Sequence, residues 1–238
     1  MNIALIGYGK MGKAIEEIAL QHGHAISLKI NSSNQEEFTT ENLQKADVAI
    51  EFSNPHCAIH NLKNCFDAGI PVVCGSTGWL EKWSEIADEC QQKNGGLLYA
   101  SNFSIGVNIF FEINKHLANL MNRQNNYEVA IEEIHHTHKK DAPSGTAITL
   151  AQGILDNLKR KTNWTLGDSK DAESISINSK RIDPAPGTHV ITYDSAIDSI
   201  QISHTAHSRT GFAYGAVLAA EFLIGKKGIY SMKEVLEI

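Results

Sequence analysis

The sequence predicts an α/β chain in which a parallel sheet is followed by a second, more strand-rich layer. Three observations predict it. Short apolar runs alternate with segments of helical period through the first hundred residues, and the loop Gly7-Tyr8-Gly9-Lys10-Met11-Gly12 directly follows the first apolar run. From residue 127 β-branched segments between turn residues take over, before a small-residue apolar helix near the end. The alternation is the rhythm of βα units, which build parallel sheets.

Strands are expected at residues 3–6, 25–30, 48–52, 71–74 and 97–100, with helices near 10–22, 55–68 and 80–93. Most of these strands end at Gly-, Ser- or Asn-rich loops, at 7–12, 31–34, 53–54, 75–78 and 101–103. Ligands of open parallel sheets bind beyond the carboxyl ends of the strands, so these loops should form one continuous rim. Next come an apolar-rich helix at 105–121, a strand at 127–134, a histidine loop and a helix at 144–159. Segments 174–181, 189–193 and 199–204 are β-branched and separated by turn residues such as 183–187, which suggests antiparallel strands. The apolar helix near 211–224 has the small residues needed to pack back on the first sheet. No internal repeat or low-complexity linker interrupts the chain.

With 238 residues the chain can bury a substantial core, and its net charge of −6 sets its overall field against nucleic acid. The four cysteines, Cys57, Cys65, Cys74 and Cys90, form no CxxC pair and fit a reducing cytoplasm. Neither a secretory leader nor an apolar run of membrane-spanning length is present, so a soluble, intracellular protein is expected.

GxGxxG is a weak motif alone, but here it sits after an apolar strand and at the start of a helix. Gly7 would permit the tight turn, Gly9 would let a pyrophosphate approach the backbone, and Gly12 would let helix and strand pack closely. The helix amino end then faces the phosphates. A Rossmann-type dinucleotide-binding domain follows. The acidic ribose ligand usual at the end of the second strand is missing, because that stretch reads Lys29-Ile30-Asn31-Ser32-Ser33. Asn31 and Ser32 can accept either a ribose or a 2′-phosphate, so NADPH or NADH is expected, with a tilt toward NADPH.

Residues 132–149 collect titratable groups ahead of a small-residue turn: His135, His136, His138, Lys139, Lys140 and Asp141, then Pro143-Ser144-Gly145-Thr146. A metal site is disfavoured, since successive residues of an extended loop point in different directions and no second ligand cluster follows. A solvated charged loop would account for Lys139-Lys140 but not for the adjacent helix entrance. There the N–H groups of Gly145 and Thr146 and the hydroxyls of Ser144 and Thr146 can hold a carboxylate, while Ser144 or Thr146 also caps the helix. A histidine can shuttle protons near neutral pH, and a nearby ammonium can stabilise developing negative charge.

These segments, together with Glu51-Phe-Ser-Asn-Pro, Gly75-Ser-Thr-Gly, Ser101-Asn-Phe-Ser-Ile-Gly-Val-Asn and Glu133-Ile-His-His-Thr-His-Lys-Lys-Asp-Ala-Pro-Ser-Gly-Thr-Ala, closely resemble the dihydrodipicolinate reductase family over nearly the whole chain. The likeness continues through Pro186-Gly-Thr-His-Val and Ile202-Ser-His-Thr-Ala-His-Ser-Arg-Thr-Gly. It implies NAD(P)H-dependent reduction of 4-hydroxy-tetrahydrodipicolinate, a cyclic dicarboxylate, in the diaminopimelate route to lysine. It also implies His135 as proton donor or acceptor, Lys139 as the second catalytic cation, His136 in contact with substrate, and Ser144, Gly145 and Thr146 around a ring carboxylate. Gly75, Ser76, Thr77, Ala100, Ser101, Asn102 and Phe103 would line the nicotinamide. Residues 1–103 and 209–238 would form the dinucleotide domain, and 104–208 an inserted α+β substrate and oligomerisation domain with a mixed or antiparallel sheet, in a homotetramer. This chain departs from many members in having Asn31 where an acid is common, and in a trimmed stretch between residues 30 and 47. The rival readings are another NAD(P)-dependent amino-acid dehydrogenase of the aspartate or homoserine type, and a dinucleotide-binding redox sensor without catalysis.

Overall fold

The computed structural model describes residues 1–238. Along the chain, β1 (Asn2–Ile6), α1 (Lys10–Gln21), β2 (Ala25–Ile30), α2 (Thr40–Leu43), β3 (Val48–Glu51), α3 (Pro55–Asp67), β4 (Val72–Cys74), α4 (Trp83–Gln92) and β5 (Gly96–Tyr99) come first. Then follow α5 (Ile105–Met121), β6 (Glu128–His135), α6 (Gly145–Leu155), β7 (Asn163–Leu166), β8 (Ser174–Arg181), β9 (Thr188–Asp194) and β10 (Ser199–Thr205). The chain ends with α7 (Thr210–Leu223), β11 (Gly228–Tyr230) and α8 (Met232–Leu236). No helix is long and apolar enough to cross a membrane.

Residues Met1–Ile105 and Thr210–Ile238 make the first of two compact units. Its six-stranded sheet runs in the order β2-β1-β3-β4-β5-β11, with every pair parallel. Both faces are covered, which is why the strands read as unbroken apolar runs rather than alternating ones. Ala4 and Ile6 point into a core shared with Leu62, Phe66 and Ile86 of α3 and α4. Ile3 and Leu5 point the other way, into a core shared with Ile15 and Ala19 of α1 and with Ala213, Ala216 and Leu223 of α7. Between β2 and β3 the chain makes only a 3₁₀ turn at Gln35–Glu37 and the four-residue α2, so this crossover is short. β11 and α8 escape sequence reading because β11 is a three-residue, half-exposed edge strand and α8 has five residues.

Gly106–Arg209 form the second unit, whose five-stranded sheet has the order β10-β9-β6-β8-β7. The sheet is mixed. β9 runs antiparallel to β10 and β6, whereas β8 is parallel to β6 and β7 is parallel to β8. The antiparallel reading of 174–204 therefore fails for β8. A helix-containing crossover through α6 returns the chain to the same edge direction, and β6 inserts between β8 and β9. β7 was also hidden, since its residues are mostly exposed and carry no apolar run.

β6 alternates strictly, with Val129, Ile131, Glu133 and His135 all on the buried face. Rows of this face are set by register: Ile191–Ile131–Ile177 lie side by side in the core, and the next row is His189–Glu133–Ser179. One row further, His135 pairs with Arg181. The sheet face thus changes from hydrocarbon to titratable groups within two residues, without leaving the interior.

In the first unit, α7 approaches the end of the β5–α5 connection closely at Gly215, where a Cβ would lie 1.8 Å from the carbonyl oxygen of Phe103. Replacing Gly215 by Ala should destabilise the protein by about 1–3 kcal/mol through overpacking against backbone. Urea denaturation of the variant checks this, and an unchanged midpoint would contradict the packing.

Candidate active site

The glycine loop is dictated by its neighbours. Gly7 has φ +94°, and a Cβ on it would stand 2.3 Å from the Phe52 carbonyl oxygen at the end of β3. No other residue turns there without displacing that strand end. At Gly9 a Cβ would meet nothing within 4 Å, so the backbone lies open to a phosphate. Gly9 is also the N-cap of α1 and offers no side-chain acceptor to the helix end, which suits an anion there.

A cavity of about 610 Å³ opens at this point, lined by Gly7, Tyr8, Gly9, Asn31 and Ser32 together with Gln35, Ser53, Asn54, His56, Cys57, His60 and Asn61. It sits where the strand order reverses, with β2 on one side of β1 and β3 on the other, the usual place for a ligand in such sheets. No carboxylate lines it. Glu16 is neutralised nearby. Lys29 Nζ lies 2.5 Å from its carboxylate and the Tyr8 hydroxyl donates to it, and these two bonds hold Glu16 below the usual carboxylate range. Asn31 turns its amide oxygen to the N–H of Ser33 (2.7 Å) and the hydroxyl of Ser33 (2.6 Å), leaving the NH₂ as a donor.

Lys10, Met11 and Gly12 open α1 and do not line this cavity. The second loop set follows β4 and β5 on the same rim. A Cβ at Gly75 would fall 2.2 Å from the Phe52 ring. Ser76 is buried with no partner for its hydroxyl, while Thr77 and Ser101 are exposed. Asn102 accepts the Ser104 N–H at 2.9 Å. Ala100 and Phe103 keep their side chains in the core, with the Phe103 ring centre 5.4 Å from that of Phe52. The open backbone at Gly9, the cavity and the orphaned Ser76 hydroxyl together fit a dinucleotide. Ser53 and Asn54 lie on the rim expected from sequence, whereas His56, Cys57, His60 and Asn61 of the same wall were not assigned. Glu51, fully buried, holds it by accepting the Ser53 N–H at 3.0 Å, the Ser53 hydroxyl and the Asn61 amide at 3.2 Å.

In the second unit the histidine loop is organised by Glu133, a side chain with no exposure. Its carboxylate accepts the Ser144 N–H at 3.1 Å to each oxygen, the Ser179 hydroxyl at 2.7 Å and Arg181 Nη2 at 3.2 Å. His189 Nε2 is 3.7 Å away and bonds the Ser144 hydroxyl at 3.1 Å. Ser144 is the N-cap of α6, its hydroxyl accepting the Ala147 N–H at 3.2 Å. Ser144 is therefore 3% exposed and committed to protein partners, so the open part of the helix entrance is Gly145, where a Cβ would meet nothing within 4 Å, with Thr146 beside it.

Arg181 also donates to the Asp141 carbonyl at 2.6 Å, and Lys139 Nζ bonds both carboxylate oxygens of Asp141 at 2.8 and 2.9 Å. The front of the loop is held by Thr137, whose N–H and hydroxyl both donate to Asp183. His136 is half-buried, while His138 and Lys140 are exposed. His135 is 8% exposed, with Nδ1 3.5 Å from Glu133 and Nε2 beside Gly187, where a Cβ would stand 3.1 Å away.

Burial pushes His135 down to about 4 against the pull of Glu133, with His189, Lys139 and Arg181 adding to the depression. Burial works in the opposite sense on Glu133, yet His189 beside it and the hydrogen bonds from Ser144 and Ser179 hold its carboxyl far below the usual range. The trio Glu133, His135 and His189 has metal-ligand composition. Arg181 already occupies the same carboxylate, and a second cation there would meet that charge; acid–base chemistry suits the group better. Glu133, Ser179, Arg181, Gly187 and His189 were not assigned from sequence. The Glu133-x-His135 spacing, which puts both on one strand face, was the available signal.

Family models described as "Dihydrodipicolinate reductase, N-terminus" and "Dihydrodipicolinate reductase, C-terminus" match residues 1–103 and 106–236. A curated relative, the 4-hydroxy-tetrahydrodipicolinate reductase of Christiangramia forsetii, is 50% identical over 236 residues, covering 99% of this chain and 98% of the relative. Among solved structures, the dipicolinate-bound dihydrodipicolinate reductase of Paenisporosarcina sp. TG-14 shares the fold with a TM-score of 0.77 at 21% identity, over 97% of each chain. The aspartate dehydrogenase of Thermotoga maritima superposes less well, at a TM-score of 0.54 and 12% identity over 95% of this chain and 97% of that one. The chain belongs to the dihydrodipicolinate reductase family.

Proposed function

We propose that this chain reduces 4-hydroxy-tetrahydrodipicolinate to tetrahydrodipicolinate with NADPH or NADH, in the diaminopimelate route to lysine, and that His135 and Lys139 carry the proton chemistry. The single observation that carries the residue roles is the convergence of a buried imidazole, a held ammonium and an open helix entrance on the loop after β6. A bound nicotinamide nucleotide supplies the hydride. A proton is taken up with it and water leaves, which balances the reaction. Gly7, Tyr8, Gly9, Asn31 and Ser32 hold the adenosine and phosphate end, with Lys10, Met11 and Gly12 at the helix start. Gly75–Thr77 and residues 100–103 border the nicotinamide.

A ring dicarboxylate, as in the solved relative that binds dipicolinate, finds the Gly145 and Thr146 N–H groups at the positive end of α6. His136 and Lys139 flank it. Glu133 and Ser144 act as positioning residues: the first fixes the helix entrance and the imidazole, the second caps the helix. His135 Nδ1 lies 3.5 Å from Glu133 without a hydrogen bond to it, and Nε2 faces the space kept open by Gly187. A dianion bound nearby favours the imidazolium, so substrate binding draws from solvent the proton that His135 later gives up. Four chains assembled through the second unit's sheet belong to the same reading. The lack of a carboxylate in the lining of the cavity beside Asn31 and Ser32 supports use of NADPH at least as readily as NADH.

Coupling to a dihydrodipicolinate synthase, with NADPH and NADH oxidation followed separately, tests the reaction. Oxidation of both is expected, with kcat/KM for NADPH equal to or above that for NADH; no oxidation of either rejects the function. Lys139→Ala should lower kcat by about 10²–10⁴-fold while nucleotide affinity stays unchanged. Full activity in that variant would remove Lys139 from the mechanism.

His135 starts from about 4, so at pH 6.5 it is neutral before substrate binds. Dipicolinate binding at that pH should then take up a fraction of a proton, measured by calorimetry in buffers of different ionisation enthalpy. The uptake should vanish in His135→Gln. Equal uptake in both proteins would assign the proton elsewhere.

A further inference from the structure

At the amino ends of the parallel strands, the pole of the first unit opposite the nucleotide rim, three metal-ligating side chains converge. His22 caps the carboxyl end of α1, His24 immediately precedes β2, and Glu221 lies in the last turn of α7, 199 residues beyond His22. Glu221 Oε1 is 2.7 Å from His24 Nε2 and 3.4 Å from His22 Nδ1, and the three donor atoms all lie within 4.8 Å of one another. The only ion-pair partners of Glu221 are these two imidazoles. Their side chains are 34% (His22), 15% (His24) and 34% (Glu221) exposed, so an ion can reach them from solvent. The His22 ring is set edge-on against Tyr214, two turns earlier on α7, at 5.4 Å between centres.

We propose that His22, His24 and Glu221 form a site for a divalent transition metal such as zinc, with water completing the coordination. Zinc bonds to nitrogen and oxygen of about 2.0–2.2 Å in a tetrahedron place donor atoms about 3.3–3.5 Å apart. The His22–Glu221 separation already matches, and the His24–Glu221 contact needs to open by under about 1 Å once a metal replaces the shared proton. Two imidazoles and one carboxylate select zinc, cobalt or nickel over magnesium and calcium, which take oxygen ligands. An ion here would clasp the helix contributed by the chain's last segment to the first α–β turn, and so join the two stretches of sequence that make this unit.

Metal-stripped full-length protein titrated with Zn²⁺ by calorimetry tests the proposal, alongside thermal melting and a Mg²⁺ control. One Zn²⁺ per chain is expected, with Tm raised by about 5–10 °C at a hundredfold excess over Kd. His24→Ala and Glu221→Gln should each weaken zinc binding by about 10–100-fold or more and remove the Tm shift, while turnover stays at the level of the unsubstituted protein. Absence of saturable zinc binding overturns the site, as does Mg²⁺ binding of equal strength. Zinc binding that both substitutions leave unchanged also overturns it, assigning the ion to Glu133, His135 and His189 instead.

Discussion

A carboxylate buried without exposure, Glu133, is the constraint on which the second unit's chemistry rests. Taking an ion of this size out of water costs several kcal/mol, and only well-placed donors offset it. Here the donors come from three directions: Ser179 and Arg181 of β8, His189 of β9, and the backbone of Ser144 at the entrance of α6. Each donor is thereby fixed by the charge it satisfies. The entrance of α6, the imidazole of His135 and the tail of the histidine loop through Arg181 and Asp141 all lie around one side chain. Removing the carboxyl would leave the Ser144 N–H without its acceptor and Arg181 without its ion-pair partner, so the entrance of α6 would lose its frame.

How much of this could be read from the sequence depends on whether the information was local. Gly7 and Gly9 declare themselves because strand, turn and helix follow one another directly, and the steric reasons for both lie within reach of the same loop or of Phe52. His135 and Lys139 stand in one short charged stretch and were legible as chemistry. The row His189–Glu133–Ser179 was not, since it exists only once β9 and β8 are set on either side of β6, and register is a long-range property. The same limit hid the orientation of β8. Its β-branched alternation fits either direction, and only the crossover through α6 decides for parallel. Ser144 was legible as a cap, but its full burial under Glu133 and His189 was not.

The first unit depends on a different long-range closure. A parallel sheet exposes two apolar faces, and the first βα series supplies α3 and α4 to one but only α1 to the other. α7 covers the remainder with Ala213, Ala216, Ala219 and Ala220, small residues that let it sit close, down to the contact of Gly215 with the Phe103 carbonyl. The composition of that helix, with Gly or Ala at most positions of its inner face beside Val217 and Leu223, follows from the distance it must keep to the sheet and to the loop that leads into α5. Nucleotide rim and terminal helix are thus coupled through Phe103, which also packs on Phe52 beside the glycine loop.

Glu133 and His135 are both displaced downward, from different causes, and the two displacements work together. Burial penalises the charged form of both, but Glu133 has donors enough to stay ionised while His135 has only one distant carboxylate and three like-charged or titratable neighbours, so it stays neutral. Both groups therefore hold fewer protons in the folded protein than in the unfolded chain as the solution is acidified. His135 contributes stability that is fully present above its ordinary value near 6.5 and is lost as pH falls through about 4. Glu133 adds a loss that begins as pH falls through the usual carboxylate range, where the unfolded chain takes up the proton, and continues well below it. An imidazole kept neutral in this way has a ring nitrogen able to accept a proton, and the carboxylate beneath it stays charged as it does so, so an added positive charge is met without any rearrangement of the donors that hold the helix.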